Sequence, residues 1–554
     1  MVARSANSSR ITASQRSSYL CAIIACVLAT LNAIPAILFA QAHTKVPDIQ
    51  WQRCLGGSSA DYAFNMIQTA DGGFALCGYV TSTDGDVVGH HGGGEDAWVA
   101  KLSPSGNLEW AKCYGGSNAE EANSIAQTAD GGYLVAVRTE SFDSQVIGNH
   151  GLGDAWILKL NDTGAIEWSQ CYGGDNYDDP CSIIQATDGS YVFAGWTRSE
   201  TPNEVDQHHG QGDDAWVVKI KTSSFVAGFE KWFGGMKRDV ANSIVQTSEG
   251  GYIFAGFTYS SDGDVSDYLG GAASDVWVVK ISPTGFLDWE KCFGGSENEW
   301  ANSIIQTSDG GYALAGISYS TDGDIVGNHG GGDAWVAKIS RTGLLQWQKC
   351  LGGSGLDMAW SIVQTPEGGY AIGGYTASND GDVKGNHGGQ DVWLVKLDSV
   401  GDMEWQKCMG GSGIDQAISM VRTKDGGYAL AGNTGSTDGD IRGYHGNVDA
   451  WVVKLNSDAS VAEHLPTSTA PQLTTHFGSD RNALLVDFSV ESAGEVTLDL
   501  TNVTGEQLRE LRTFVLQSVP QQSSFDIGKL GAGTYYVTLH AAGESRTAAF
   551  EVIK

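Results

Sequence analysis

The feature that most constrains this chain is a unit repeated seven times along it. Three landmarks recur in fixed order. The first is Trp-x-x-Cys-x-Gly-Gly, as at residues 110–116 and 347–353. The second is a Gly-Gly-Tyr-Ala-Leu-Ala-Gly type of run, as at residues 310–316. The third is Asp-Ala-Trp-Val-Val-Lys-Leu, as at Asp449–Leu455. The first landmark opens at Trp51, Trp110, Trp168, Phe229, Trp289, Trp347 and Trp405, a spacing of roughly 58 to 61 residues. A period of this length points to a stacked or radial repeat architecture.

Each unit reads as four short strands. In the fifth unit they are residues 303–307, 312–318, 333–339 and 344–351. Asp309-Gly310-Gly311 is a tight hairpin signal between the first two. A loop of about fifteen residues separates the second from the third. Runs such as Ala450-Trp451-Val452-Val453 are apolar on both faces. A sheet with one wet face alternates instead, so both faces here must be covered. Four-stranded blades stacked around an axis do this and leave only short edges. The expected fold is therefore all-β, a seven-bladed β-propeller, with a β-solenoid as the alternative. The repeat region begins with a fourth-strand sequence near residues 50–55 and ends with a third-strand sequence at Asp449–Leu455. The first strand is thus expected to complete the last blade and close the ring without a covalent bond.

The flanks set the domain boundaries. Arg4, Arg10 and Arg16 precede an uncharged apolar stretch at residues 19–39, and Ala40-Gln41-Ala42 supplies small residues for cleavage. This reads as a signal peptide over residues 1–42. The stretch is also long enough for a membrane anchor, but Pro35 and the Ala-x-Ala site favour cleavage. No later segment is apolar for long enough to cross a membrane. The propeller is expected over 49–457. A linker over 458–471 follows, marked by Pro466, Thr467, Ser468, Thr469 and Pro471. Residues 472–554 read as a small C-terminal β-sandwich, with strands near 484–490, 495–501 and 534–540.

Composition narrows function by exclusion. The formal net charge is −32, with a pI near 4.5. Such a surface repels phosphate backbones, so nucleic acid is a poor partner. Nucleophile elbow, P-loop, dinucleotide fingerprint and zinc-protease motifs are all missing from the sequence. The acidic charge favours solubility and cation binding.

The long loop is where the sequence concentrates polar chemistry. Asp-Gly-Asp recurs there in five units: Asp84/Asp86, Asp262/Asp264, Asp322/Asp324, Asp380/Asp382 and Asp438/Asp440. Histidines follow in six units, at His91, His150, His209, His329, His387 and His445. An aspartate then opens every third strand: Asp96, Asp154, Asp214, Asp275, Asp333, Asp391 and Asp449. Close carboxylates and carbonyls suit Ca²⁺, so the Asp-Gly-Asp pairs are candidate Ca²⁺ ligands. Turn capping by the same side chains is the competing reading, and a histidine-bound transition metal a third. The loops of units two to four break the pattern. Glu204 and Asp206 in unit three, and Asp267 and Tyr268 in unit four, are therefore candidate ligand-binding residues. Trp196, Trp300 and Trp360 lie outside the repeated tryptophan positions. They could stack on sugar rings, but core packing is their expected role.

Six of the eight cysteines beyond the signal share one repeat position: Cys54, Cys113, Cys171, Cys292, Cys350 and Cys408. The remaining unit has Trp232 there. Equivalent positions of different blades lie too far apart for a disulfide. The tryptophan marks an apolar slot, in which cysteine acts as a small hydrophobe. Cys77 and Cys181 stand alone, and either could pair with a cysteine on a neighbouring strand.

Two resemblances add to this reading. The stretch Leu498-Asp499-Leu500-Thr501-Asn502-Val503-Thr504-Gly505-Glu506-Gln507-Leu508 resembles the strand-turn-strand core of the type IX secretion C-terminal sorting domain. Leu530-Gly531-Ala532-Gly533-Thr534-Tyr535-Tyr536-Val537 is similar to its Leu-x-x-Gly-x-Tyr strand, and Lys554 fits its terminal lysine. The resemblance implies passage across an outer membrane by the type IX machinery, with release or surface attachment. Gly505, Gly533, Tyr535 and Lys554 would carry it. The Gln-Thr-x-Asp-Gly-Gly-Tyr and Trp-x-Lys-Cys-x-Gly-Gly phrases resemble bacterial β-propeller repeats found beside such domains, some of them labelled endoglucanase. The expectation is a secreted or cell-surface module that binds a glycan or a protein. A glycan-active hydrolase and a structural surface protein are the alternatives.

Overall fold

The structure is a computed structural model. It describes residues 46–199, 209–210, 212–222 and 226–458, and beyond these 472–477, 483–489, 494–503, 506–515, 521–527, 529–541 and 544–552. The signal peptide, and the linker expected from the sequence apart from Asp458, lie outside the described residues. The chain is all-β, and no helix occurs among the described residues. It divides into two compact units between Ser460 and Val461.

The larger unit consists of repeated four-stranded antiparallel sheets, the kind of element a propeller stacks. The fifth is representative, with strands Glu299–Gln306, Tyr312–Ser318, Asp333–Ile339 and Leu345–Leu351 in spatial order. Three of these match the sequence reading closely. The first begins four residues earlier than expected, because its register shifts between Ala301 and Ser303. A bulge of this kind breaks the period-two pattern on which a strand assignment relies.

The N-terminal strand Ile49–Leu55 joins the sheet of Asp415–Arg422, Tyr428–Thr434 and Asp449–Leu455. It pairs antiparallel with Asp449–Leu455, Cys54 opposite Trp451 and Ile49 opposite Leu455. The phase of the repeat thus completes the seventh sheet from the opposite end of the region.

Each sheet packs on the next in the chain, and the seventh packs on the first. Apolar clusters fill these interfaces, each mixing side chains of neighbouring sheets. One joins Ile253 and Val278 of the fourth sheet to Ile304, Leu314 and Trp335 of the fifth. Another joins Ala429, Ala431 and Val452 of the seventh to Met66, Leu76 and Trp98 of the first. The third strands are buried along their whole length, from Asp333 to Ile339 for example. That is why they read as apolar on both faces.

Hydrogen bonds repeat around the same circuit. Ser182 Oγ accepts from Ile244 N–H, Ser243 Oγ from Ile304 N–H, and Ser419 Oγ from Met66 N–H across the seventh-to-first interface. A glutamine belt runs beside it. Gln306 Oε1 accepts from Ser248 N–H and Gln364 Oε1 from Ser308 N–H, both at 2.8 Å, and Gln68 Oε1 accepts from Lys424 N–H at 2.9 Å. The belt changes at one link. Pro366 occupies the donor position of the sixth sheet and has no N–H, and Arg422 replaces the accepting glutamine opposite.

All eight cysteines of the described region are free, including Cys77 and Cys181. The six at the shared position are buried. Burial pushes the thiols of Cys54, Cys113, Cys171, Cys350 and Cys408 up to about 12.

The smaller unit has a three-stranded sheet of Gln472–Phe477, Ala483–Ser489 and Gln521–Asp526. Beside it in sequence is a four-stranded sheet ordered Gln507–Val515, Gly494–Asn502, Gly533–Ala541, Glu544–Val552. Side chains of both sheets, among them Val486, Phe525, Leu498, Val537 and Phe550, form one buried cluster. Tyr535 stacks on Phe550 at 5.8 Å and donates its hydroxyl to Gly531 O at 3.1 Å. Gly505 and Lys554 lie outside the described residues.

Candidate functional site

Two sets of carboxylates sit at every interface between sheets. The first opens the first strand of each sheet, the inner strand that lines the cavity described below: Asp61, Glu120, Asp178, Asp239, Glu299, Asp357 and Asp415, all buried. Asp357 shows their work. Its Oδ2 accepts from Gly353 N–H and from Ser378 Oγ, both at 2.7 Å. Buried carboxylates demand such partners. The second set is the aspartates that open the third strands. Their Oδ2 atoms accept from the loop. His329 N–H donates to Asp333 Oδ2 at 3.0 Å, and His329 Nδ1 lies 2.6 Å from the same oxygen. His91, His150, His209, His387 and His445 repeat this contact. In the fourth sheet Leu269 N–H donates instead, at 2.6 Å.

The Oδ1 atoms of all seven third-strand aspartates are buried without a hydrogen-bond partner among the described residues. They face the first set across the interface. Asp275 Oδ1 and Glu299 Oε2 lie 2.5 and 2.7 Å from the point where a Cβ on Gly294 would stand. That crowding explains the glycine. Burial, and then the neighbouring Glu299 charge, push the Asp275 carboxyl up to about 6. Asp154 is pushed to about 6 by burial, with Asp178 adding to the rise against His150. Asp239 also reaches about 6, from burial and the Asp214 charge.

The Asp-Gly-Asp residues take part in the turns. Asp84 Oδ1 accepts from Ser58 N–H at 2.7 Å, Asp322 Oδ1 from Ser296 N–H at 2.8 Å, and Asp380 Oδ1 from Ser354 N–H at 2.8 Å. Asp262 and Asp438 do the same for Met236 and Ser412. The second aspartate of each pair donates its backbone N–H to the preceding Gly-Gly. Asp86, Asp264, Asp324, Asp382 and Asp440 reach Gly56, Gly234, Gly294, Gly352 and Gly410. Among the described residues, no three histidine, cysteine or acidic side chains come together as a metal site would need.

No described residue of the irregular loops lines the cavity formed by the inner strands. Glu204 and Asp206 lie outside the described residues. Asp267 is an exposed turn residue with φ of 58°, and pairs with Lys291 at 3.4 Å. The Tyr268 hydroxyl donates within its own loop, to Ala273 O.

The inner strands themselves enclose a cavity of about 790 Å³, lined from all seven sheets. Here the sequence loses its repetition. The residue after the buried acid and its cross-strand partner form seven different pairs. They are Tyr62–Tyr79, Glu121–Arg138, Asp179–Trp196, Val240–Phe257, Trp300–Ile317, Met358–Tyr375 and Gln416–Asn433. These pairs lie where the second strands run into the long loops, and Tyr62, Tyr79, Phe257, Trp300, Gln416 and Asn433 among them line the cavity. Two residues further along, the inner strands carry Phe64, Asn123, Cys181, Asn242, Asn302, Trp360 and Ile418, all lining the cavity.

The ring is aromatic on one side. Trp300 stands 6.0 Å from Phe257 and 6.3 Å from Tyr319, with its Nε1 donating to Ser274 Oγ at 2.8 Å. Trp300 and Trp360 flank a small cluster of Ile317, Met358 and Tyr375. Both line the cavity and are half-buried. They thus pack against the core, as expected from the sequence, and also face the cavity. Tyr62 stacks on Tyr79 at 4.8 Å, with Phe64 edge-on at 5.5 Å.

The second and third sheets make the ring charged. Arg138 Nη1 donates to Glu121 Oε1 at 3.1 Å and a second nitrogen reaches Glu140. Asn123 Nδ2 donates to Asp179 Oδ1 at 2.8 Å. Burial lifts the Asp179 carboxyl to about 6 against the pull of Arg138. Arg238 and Arg198 share Asp213, with contacts of 2.8 and 2.7 Å.

Comparison with known proteins identifies no family. No protein-family model matches the chain, and no curated protein matches it by sequence. Among solved structures, similarity is found to PorZ, a surface component of the type IX secretion system of Porphyromonas gingivalis. Identity is 10%, the match covers 90% of this chain and 60% of PorZ, and the TM-score is 0.35. A puromycin hydrolase is similar at 11% identity, over 79% of this chain and 60% of the hydrolase, with a TM-score of 0.41. The extracellular domain of the two-component protein BT4673 of B. thetaiotaomicron follows at 10% identity. That match covers 90% of this chain and 76% of the domain, with a TM-score of 0.20. The chain thus spans about three-fifths of the length of the first two.

Proposed function

We propose that the seven sheets are the blades of one closed β-propeller, and that it binds an extracellular glycan at the loop-side mouth of its central cavity. The observation that carries this reading is the loss of repetition at the mouth. Interface positions are repeated almost residue for residue, as a scaffold requires. The residue after the buried acid differs in every sheet, and Tyr62, Phe64, Trp300 and Trp360 are among the residues that line the cavity. Partly exposed aromatic rings with hydrogen-bonding neighbours, here Asn123, Asn242 and Asn302, suit the flat apolar faces and hydroxyl edges of sugars.

The smaller unit is, in this proposal, a β-sandwich sorting domain. Tyr535 and Gly533 form part of its Gly-x-Tyr strand, and the signal peptide takes the chain to the type IX machinery. The protein then works secreted or at the cell surface. The sequence resemblance of residues 498–508 and 530–537 supports this part.

The test is titration of the full secreted chain with a panel of oligosaccharides, followed by tryptophan fluorescence. Trp300→Ala and Trp360→Ala should each weaken binding about tenfold, the equivalent of about 1.4 kcal/mol. Unchanged affinity in both variants would refute the site. Release of reducing ends during incubation would favour the hydrolase alternative.

A further inference from the structure

Arg238 lines the cavity of a chain whose formal charge is −32. The Asp213 side chain is 3% exposed and is shared by two arginines. Arg198 Nε donates to its Oδ1 at 2.7 Å, and Arg238 Nε lies 2.8 Å from its Oδ2. Asp213 engages Nε of Arg238 and Nε and Nη2 of Arg198, and the remaining guanidinium nitrogens of the two make no hydrogen bond or ion pair with the described residues. The arginine side chains remain 46% and 50% exposed, so the pair also meets solvent.

Arg238 is placed among aromatic rings. It lies 5.8 Å from the ring of Trp196 and 5.3 Å from that of Phe257. Phe257 in turn stands 6.0 Å from Trp300. Trp196, Arg238, Phe257 and Trp300 therefore form a continuous row across the third, fourth and fifth sheets, and the last three line the cavity. Asp179 also lies near Arg238, but Asn123 holds its carboxyl and Arg138 shares it. A guanidinium stacked on rings keeps its plane fixed, and a fixed fork takes a carboxylate through two parallel hydrogen bonds.

We infer that the mouth takes an acidic oligosaccharide, seating a sugar carboxylate on Arg238 and Arg198 and a neighbouring ring on Trp300. This rests on the glycan-binding reading and narrows it to uronate-type sugars. The chain's overall negative charge opposes a polyanion at long range, but screening at physiological salt confines that field to about 8 Å. The local pair then decides affinity.

The experiment compares two probes on the full chain by calorimetry: tetragalacturonate and the same tetrasaccharide with its carboxyls reduced to alcohols. The acid should bind about 10- to 100-fold more tightly. Arg238→Met should remove that advantage, so that the two probes bind this variant equally, while Arg238→Lys restores part of it. If Arg238→Met melts early, Arg198→Met provides the same comparison. Equal affinity for the two probes would overturn this inference and leave glycan binding standing. Failure of both probes, with every neutral sugar of the panel also unbound, would remove both readings. Tetraglutamate binding as tightly as tetragalacturonate would overturn the sugar assignment.

Discussion

Asp275→Asn offers a direct test of the buried acid pairs. Asp275 titrates near 6 in the fold because of burial and Glu299, against about 3.9 for a free aspartate. The folded state therefore binds the extra proton. Stability is greatest below the unfolded value and falls as pH rises from about 4 through 6. A two-unit difference corresponds to about 2.7 kcal/mol when the carboxyl is ionised in both states. Water drawn to the ionised pair lowers this to about 1–2 kcal/mol. The amide keeps an acceptor for Leu269 N–H and turns its NH₂ toward Glu299, where Asp275 Oδ1 has no partner. The variant should thus be more stable than the parent by about 1–2 kcal/mol at pH 7.5, and nearly equal to it at pH 4.5. The fourth sheet is the right place for this test, since it lacks the histidine found elsewhere. Thermal melts at both pH values and one ionic strength would measure it. Equal destabilisation at both pH values would refute the reasoning.

The parent should show the same sign. Asp154 and Asp239 are also raised to about 6, and His209 and His329 are raised by their aspartate partners, so its melting temperature should fall between pH 5 and pH 8. At the acid end the sign reverses. Asp309 is held near 2 by the Thr307 hydroxyl and Lys338, and Asp188 near 2 by Lys219, so stability should drop as pH falls from 4 toward 2. Leu55→Ala empties a site 1% exposed in the N-terminal strand of the seventh sheet and should cost about 2–5 kcal/mol in denaturant unfolding. Gly294→Ala places a methyl between Asp275 and Glu299 and should destabilise by about 1–3 kcal/mol, read as a lower melting temperature at pH 7.5. A chelator should leave the melting temperature unchanged at millimolar Ca²⁺, because the first Asp-Gly-Asp carboxylates already cap backbone N–H groups. A fall of several degrees would give the loops a cation.

The strands were legible because each unit restates the others, so an ambiguous run in one is settled by its counterparts. The bulge near Ala301 was not legible, since it leaves no distinctive residue. The site was harder for the opposite reason. Asp-Gly-Asp and His-Gly are conspicuous because they repeat, and residues that repeat here serve the interfaces. The mouth is written in positions with no consensus, such as Tyr62, Glu121, Asp179 and Trp300. Only the strand register shows that these are equivalent. Trp196, Trp300 and Trp360 were the visible signal, as tryptophans outside the repeated positions. The cavity-lining placement of Trp300 and Trp360 depends on the bulged inner strand, which the sequence pattern does not reveal. The acid pairs were also hidden, because their members come from adjacent units about 24 residues apart, as with Asp275 and Glu299.

The pairing of Ile49–Leu55 with Asp449–Leu455 has a mechanical consequence. Gln52 receives the Trp451 indole N–H across 399 residues of chain, and Ile49 lies opposite Leu455. The chain therefore enters and leaves the repeat region at the same end of one antiparallel pair. Tension applied through the two flanks loads that pair as a zipper, opening one hydrogen bond after another, instead of shearing all of them together. Resistance to pulling should be set by this single strand, however well the other six sheets are packed.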